Sequence, residues 1–219
     1  MKRPRKRDRL YRALIKPLGD RALASGAVIV LGPVIGAAAG AIFVTMGRPI
    51  FFRQARPGRH GEPFVLLKFR TMAEPKEGES RFHSDGARVT PVGAFLRKTS
   101  LDELPSLLNV VRGEMSIIGP RPLLMQYLQR YTPEQARRHE VRPGITGWAQ
   151  VHGRQHLPFS RRLELDTWYV DHLSPSLDLQ ILLKTLVQAV QGSGVETGQS
   201  VAEVDDLGLF QDSDAEPKL

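Results

Sequence analysis

The sequence predicts a mainly α-helical protein with a few short strands (α+β): an N-terminal re-entrant membrane helix-break-helix, then a folded domain on the cytoplasmic face. Three observations carry this reading. Ala22 to Met46 contains no charged residue. Apolar stripes at helical spacing recur through the second half of the chain, whereas only one segment, Phe64 to Arg70, has strand composition. Helical and strand segments do not alternate as β-α-β units, which speaks against a Rossmann-like nucleotide domain.

Four regions follow from the charge and apolar distribution. Residues 1–21 are basic, with Lys2, Arg3, Arg5, Lys6, Arg7, Arg9, Arg12 and Lys16 against Asp8 and Asp20. Residues 22–47 form the apolar run, which exceeds the roughly 20 residues a bilayer span needs. Residues 48–192 hold the folded domain. Residues 193–219 are acidic, poor in periodic apolar residues, and read as a weakly ordered tail.

Pro33 interrupts the apolar run. Proline removes a backbone donor and crowds the preceding turn, so a break is expected there. The half before it would reach only about 16 Å as a helix. Both flanks are basic, with Lys16 and Arg21 before the run and Arg48, Arg53, Arg56 and Arg59 after it. Cations favour the cytoplasmic side, so both flanks want the same side, which a re-entrant hairpin satisfies. A kinked single span and a buried soluble helix are the alternatives.

In the folded domain, "RPG" at Arg56–Gly58 marks a turn, and Phe64 to Arg70 a strand. "PVGAFLRKT" predicts a short helix with cations in its last turn. "LDELPSLLNVV" predicts a helix with Leu104, Leu107, Leu108 and Val111 on one face and Pro105 in its first turn. "LLMQYLQRY" and "PEQARRHE" predict two more, the second opened by Thr132 and Pro133. "VRPGITGWAQVHGR" is too rich in Gly and Pro for a helix, and reads as an ordered loop with a short extended piece. "SRRLELDTWYVDHL" and "SLDLQILLKTLVQAVQ" predict amphipathic helices, the last capped by Ser176.

The chain has no cysteine, which excludes disulfides, thiolate metal sites and cysteine nucleophiles. Its net charge of +8 favours an anionic partner. A nucleic-acid partner is not expected, because the cations are not interleaved with aromatics on one element. His152 and His156 share an i,i+4 spacing, but Gly153 and Pro158 oppose a helix there, so a metal pair is not expected. "DSD" at Asp212–Asp214 reads as a solvated charge block.

The most informative acids are Asp102 and Glu103. Ser100-Leu101-Asp102-Glu103 fits a capping box, with both acids favoured by a helix N-terminus. A carboxylate placed there would stay ionised, as a nucleophile on phosphorus requires, while its neighbour helped hold a divalent metal. Lys68, Arg97, Arg121 and Arg154 are candidate phosphate ligands. Arg121 is the most constrained, since "GPRP" fixes its backbone, and arginine grips phosphate in a bidentate fashion.

"FFRQARPGRHGEPFVLLKFRTM", "SLDELPSLLNVVRGEMSIIGPRPLL", "RRHEVRPGITGWAQVHGR" and "ELDTWYVDHLSPSLDLQILLKT" occur in that order between Ile50 and Thr185. Together they resemble the small monotopic phosphoglycosyl transferases, or bacterial sugar transferases. The resemblance implies transfer of a phospho-sugar from a UDP-sugar to polyprenyl (undecaprenyl) phosphate, with release of UMP, as the first membrane step of glycoconjugate assembly. It implies Asp102 as nucleophile, Glu103 as its partner at Mg2+, Lys68, Arg97, Arg121 and Arg154 around the phosphates, and Pro33 as the helix break. It places the enzyme on the bacterial inner membrane, bound to anionic phospholipid, and is compatible with a homodimer. Two positions depart from the usual pattern: Gly32 stands where a serine often precedes the proline, and His152 where asparagine is common. A non-catalytic, membrane-anchored basic scaffold is the competing class.

Overall fold

The computed structural model describes residues 10–74, 88–153, 157–191 and 205–208. A π-helical turn, Tyr11–Ile15, leads into α1, Lys16–Met46. The expected break is not seen: α1 is continuous, with Pro33 inside it. Pro33 lies on the exposed side of the helix, and packing on both sides of it holds the axis together. Upstream, Ala24 packs with Phe64, Leu66, Leu107, Val110 and Met115. Downstream, Ala38 and Ile42 pack with Phe69 and Leu96.

Both ends of α1 are tied to the same domain. Lys16 Nζ lies 2.7 Å from Asp178 Oδ2, which also accepts a hydrogen bond from Tyr11 (2.6 Å). At the other end, the Arg70 guanidinium caps the helix by donating to the carbonyls of Met46, Gly47 (3.0 Å) and Arg48 (3.2 Å). A cation suits the negative end of the helix dipole. The opposite face is apolar and bare: Ile29, Val30 and Val44 are 78, 76 and 83 % exposed. An apolar face this open lacks a partner among the described residues.

After α1, β1 (Phe51–Pro57) and β2 (Pro63–Phe69) form an antiparallel hairpin, pairing Phe51 with Phe69 and Pro57 with Pro63. The predicted strand is thus found within one residue, and its partner is the segment that sequence reading left unassigned. α2 (Pro91–Lys98) is capped by Thr90, whose Oγ1 accepts from the Gly93 amide at 3.0 Å. Gly93 lies against the Thr71 carbonyl so closely that a Cβ would overlap it.

A 3-10 turn, Leu101–Glu103, precedes α3, Ser106–Arg112. Two buried polar residues stitch α3 to the free edge of β2. Asn109 accepts from the Leu67 amide (3.0 Å) and donates to the Val65 carbonyl (2.8 Å). Ser106 donates to the Leu67 carbonyl at 2.7 Å. A strand edge left open inside a protein would bury unsatisfied donors and acceptors, so these contacts are what allow the helix to lie there.

β3 (Ser116–Ile118) pairs in parallel with β4 (Gly144–Thr146), the short extended piece expected in the Gly/Pro-rich segment. A Cβ on Gly144 or Gly147 would collide with the Gly119 backbone. The glycines of that segment serve close backbone pairing.

Of the two helices predicted between these strands, Met125–Arg130 is 3-10, and the second is a short α4 (Pro133–Ala136) continued by a 3-10 turn, Arg137–Glu140. Thr132 caps α4 as predicted, in a reciprocal capping box with Gln135. α5 (Phe159–His172) and α6 (Pro175–Gln191) complete the domain. Ser174, not Ser176, caps α6: its Oγ accepts from the Leu177 amide at 3.4 Å. Pro175 takes the first helical position, which moves the cap one residue upstream. Within the tail, Asp206 accepts from the Ser160 amide (3.0 Å) and hydroxyl at the start of α5. Asp212–Asp214 lies outside the described residues.

Asn109→Ala removes the clamp between α3 and β2 and strands buried amide and carbonyl groups. Chemical denaturation is expected to show a loss of roughly 2–3 kcal/mol.

Candidate active site

The β1–β2 hairpin and the α3 clamp bring Lys68, near the end of β2, over the Leu101–Glu103 turn. Lys68 Nζ is 2.6 Å from Glu103 Oε1. Arg121 Nη2, from the segment after β3, is 2.8 Å from the same oxygen. Both cations use Oε1, and among the described residues Glu103 Oε2 carries no hydrogen bond. Burial alone would raise the Glu103 carboxyl, but the charges and hydrogen bonds of Arg121 and Lys68 win and hold it well below the usual carboxylate range. Burial lowers the Lys68 ammonium, and Glu103 only partly offsets this.

Asp102, next in the turn, is half-buried and faces the same cations. Burial and the Glu103 charge push its carboxyl above the ordinary aspartate value; Lys68, Arg121 and Arg97 pull it back only in part. This reverses the expectation of an acid held low by a helix N-terminus. The acids occupy a 3-10 turn, separated from α3 by Leu104 and Pro105, so no helix end faces them. The predicted capping box does not form either. Ser100 is left-handed (φ 57°) and makes no side-chain cap, and Glu103 is spent on Lys68 and Arg121.

Arg97, from the last turn of α2, donates from Nε to Thr71 Oγ1 at 2.9 Å, an anchor that aims the guanidinium toward Asp102. The structure therefore gathers Lys68, Arg97, Asp102, Glu103 and Arg121. Arg154 lies outside the described residues. Three cations face two carboxylates, an excess of positive charge suited to phosphate oxygens.

Sequence reading missed the support beneath Arg121. Arg138 is fully buried and donates to Asp166 Oδ2 (2.7 Å), Tyr131 Oη (3.1 Å) and the Arg121 carbonyl (2.6 Å). Asp166 is 1 % exposed, on the same face of α5 as Leu163 and Val170. An acid at a core position of a helical stripe is the signal that could have found it. Trp148 stacks on Trp168 of α5 with ring centres 4.9 Å apart. His152 packs on Trp148 and its Nδ1 lies 2.8 Å from the Trp148 carbonyl oxygen.

Among the described residues no group of three or more His, Cys, Asp or Glu side chains is placed to hold a metal. Asp102 and Glu103 are only two donors. That set fits Mg2+, which commonly takes one or two carboxylates and completes its shell with substrate phosphate and water. The free Oε2 of Glu103 and the like-charge strain on Asp102 fit a cation at this point.

A carboxylate pair ringed by cations, on a domain that carries a bare apolar helix, suits transfer chemistry on a phosphorylated substrate. The chain belongs to the bacterial sugar transferase family, whose model matches residues 11–192. It is 52 % identical over 151 residues to the uncharacterized sugar transferase EpsL of Bacillus subtilis, covering 69 % of this chain and 75 % of that one. It is 39 % identical over 196 residues to the exopolysaccharide production protein ExoY of Sinorhizobium fredii, covering 78 % and 87 %. It is 37 % identical over 183 residues to the UDP-glucose:undecaprenyl-phosphate glucose-1-phosphate transferase of Escherichia coli, covering 79 % of this chain but 39 % of that larger protein.

The two acids carry opposite stability signs. Glu103 is depressed, so its contribution is present above the ordinary glutamate pKa of about 4.3 and lost as pH falls. Glu103→Gln removes the shared partner of two partly exposed cations and is expected to cost about 1–2 kcal/mol at pH 7. Asp102 is raised, so its charged form costs stability. Asp102→Asn is expected to raise Tm at pH 7, with the gain vanishing below about pH 4, where wild-type Asp102 is also neutral. Thermal melts of both variants across pH 3–8 check the pair of signs.

Proposed function

We propose that this protein transfers a sugar 1-phosphate from a UDP-sugar to polyprenyl phosphate and releases UMP, through a covalent ester on Asp102. The observation that carries the reading is the division of labour between neighbouring acids. Glu103 is bound by two cations, while Asp102 is poorly solvated and has no hydrogen bond among the described residues. A desolvated carboxylate is a better nucleophile than a hydrated one. Relatives named as UDP-glucose:undecaprenyl-phosphate glucose-1-phosphate transferases support the substrate classes.

Asp102 Oδ attacks the sugar-bearing β-phosphorus of the UDP-sugar. The bond from that phosphorus to the bridging oxygen breaks, and UMP departs with the oxygen and its electron pair. A polyprenyl phosphate oxygen then attacks the phosphorus held on Asp102, and the Asp–phosphorus bond breaks to give polyprenyl diphospho-sugar and a free carboxylate. Lys68, Arg97 and Arg121 hold the phosphate oxygens through both displacements, and Arg154 is a candidate fourth. Asp102 and Glu103 would hold Mg2+, which supplies neutralisation of the diphosphate charge as the carboxylate approaches.

The bare face of α1 supports membrane placement, with residues 22–47 embedded from one face. Both ends of the unbroken helix pack on one domain, which supports a placement with both flanks on a single side of the membrane. The basic flanks favour the cytoplasmic face of the inner membrane and anionic lipid.

Asp102→Asn is expected to lower UMP release about 10³-fold or more in the presence of undecaprenyl phosphate. Wild type given a UDP-sugar alone, without lipid acceptor, should gain the mass of one phospho-sugar on the peptide containing Asp102. Normal turnover in the variant would sink the covalent route, and a panel of UDP-sugars in the same assay identifies the donor. Separately, the cysteine-free chain permits labelling at D8C and R53C. Equal access from the cytoplasmic side is expected, and opposite-side access would refute the membrane placement.

A further inference from the structure

A cavity of about 290 Å³ lies between the start of α1 and the domain. It shares no lining residue with the site of Asp102 and Glu103. Arg21, Arg59 and Arg142 line it, over a floor that includes Met115 and Val141. The three guanidiniums come from separate parts of the chain: α1, the β1–β2 turn and the segment before β4.

Gly113 brings two of them together. Its left-handed backbone (φ 80°) closes α3, and its carbonyl accepts from Arg142 Nε at 2.8 Å. A Cβ at this position would run into the Arg21 guanidinium. Arg59 donates from Nε to the Glu140 carbonyl at 3.1 Å. Beyond these contacts, the terminal nitrogens of Arg21, Arg59 and Arg142 have no carboxylate partner among the described residues.

The two acids of the cavity wall already have partners. Asp20 accepts from Ser116 and lies 3.5 Å from Lys16, and Glu140 accepts from Arg137 Nε at 3.2 Å. Burial, then the charges of Arg59 and Arg21, lower the Arg142 guanidinium, and the Asp20 charge offsets this only in part. Such a set of forks matches the oxygens of a phosphate.

The place of the cavity selects the source. Arg21 is the last charge before the apolar run, and on the adjoining turns Leu14, Leu18 and Leu23 are 54, 62 and 63 % exposed. With the bare helix face in lipid, this point lies at head-group depth, where basic pockets take anionic heads. We propose that Arg21, Arg59 and Arg142 form a second anion site that binds the phosphate head group of an anionic membrane lipid. It rests on the membrane placement proposed above and not on the transfer reaction.

Native mass spectrometry of the full chain in detergent tests it, with dioleoylphosphatidylglycerol, dioleoylphosphatidylcholine or inorganic phosphate added in turn. Wild type should retain one phosphatidylglycerol at concentrations where phosphatidylcholine is lost. The R59Q/R142Q variant should need at least about tenfold more phosphatidylglycerol for equal occupancy, and R21Q alone, on an exposed residue, should shift in the same direction. R161Q, at an exposed position of α5 away from the cavity and the membrane flanks, serves as control and should match wild type. Flotation of each variant with liposomes reads the membrane placement independently of the site. Unchanged occupancy in R59Q/R142Q and R21Q overturns the site. Equal retention of the two lipids overturns its anion character. Saturation by inorganic phosphate without retention of phosphatidylglycerol overturns the lipid assignment.

Discussion

One oxygen of Glu103 accepts both the Lys68 ammonium and the Arg121 guanidinium, and the geometry of the site hangs on that shared contact. It joins the end of the β1–β2 hairpin, the turn before α3 and the segment after β3. Each of these is too short to hold its place alone. A lone, partly desolvated carboxylate would be costly, and so would two crowded cations; together they are tolerable because each is paired. The remaining supports serve this contact. Asn109 and Ser106 fix β2 and so Lys68, while Arg138, held by Asp166, fixes the backbone of Arg121.

With Glu103 satisfied, Asp102 is the acid left exposed to conflict. It sits in the same partly dry surroundings, beside a neighbour of like charge, with cations near but not bonded to it. The site therefore holds one carboxylate at rest and one under strain within two consecutive residues. Strain of this kind tends to concentrate where a group must react or bind, because a well-solvated, fully paired acid gains nothing from approaching a phosphate.

The long helix couples this site to its surroundings. Small residues, Ala24 and Ala38, let α1 lie close on the domain, where Ile42 also packs, while Ile29, Val30 and Val44 point away. Because both ends are fastened to one body, by Asp178 and by Arg70, the bare face runs along one side of the domain. The basic cavity opens near the start of the same helix. Charge and apolar surface thus sit in the order that an interface between water and lipid requires.

By itself the sequence determined the apolar helix, the Phe64–Phe69 strand, the helices α2, α5 and α6, the cap at Thr132 and four of the cations and acids that meet at the site, with Arg97 beside them. These are legible because composition, periodicity and proline are local properties, and because long motifs persist in order. Only the tertiary structure decided that α1 runs through Pro33, that Phe51–Pro57 is a strand, and that Asp102 is raised while Glu103 is depressed. A proline's effect depends on what packs on either side of it, a strand on its partner, and a carboxylate on charges brought in from 35 and 18 residues away. Sequence spacing contains none of those distances, and folding creates them.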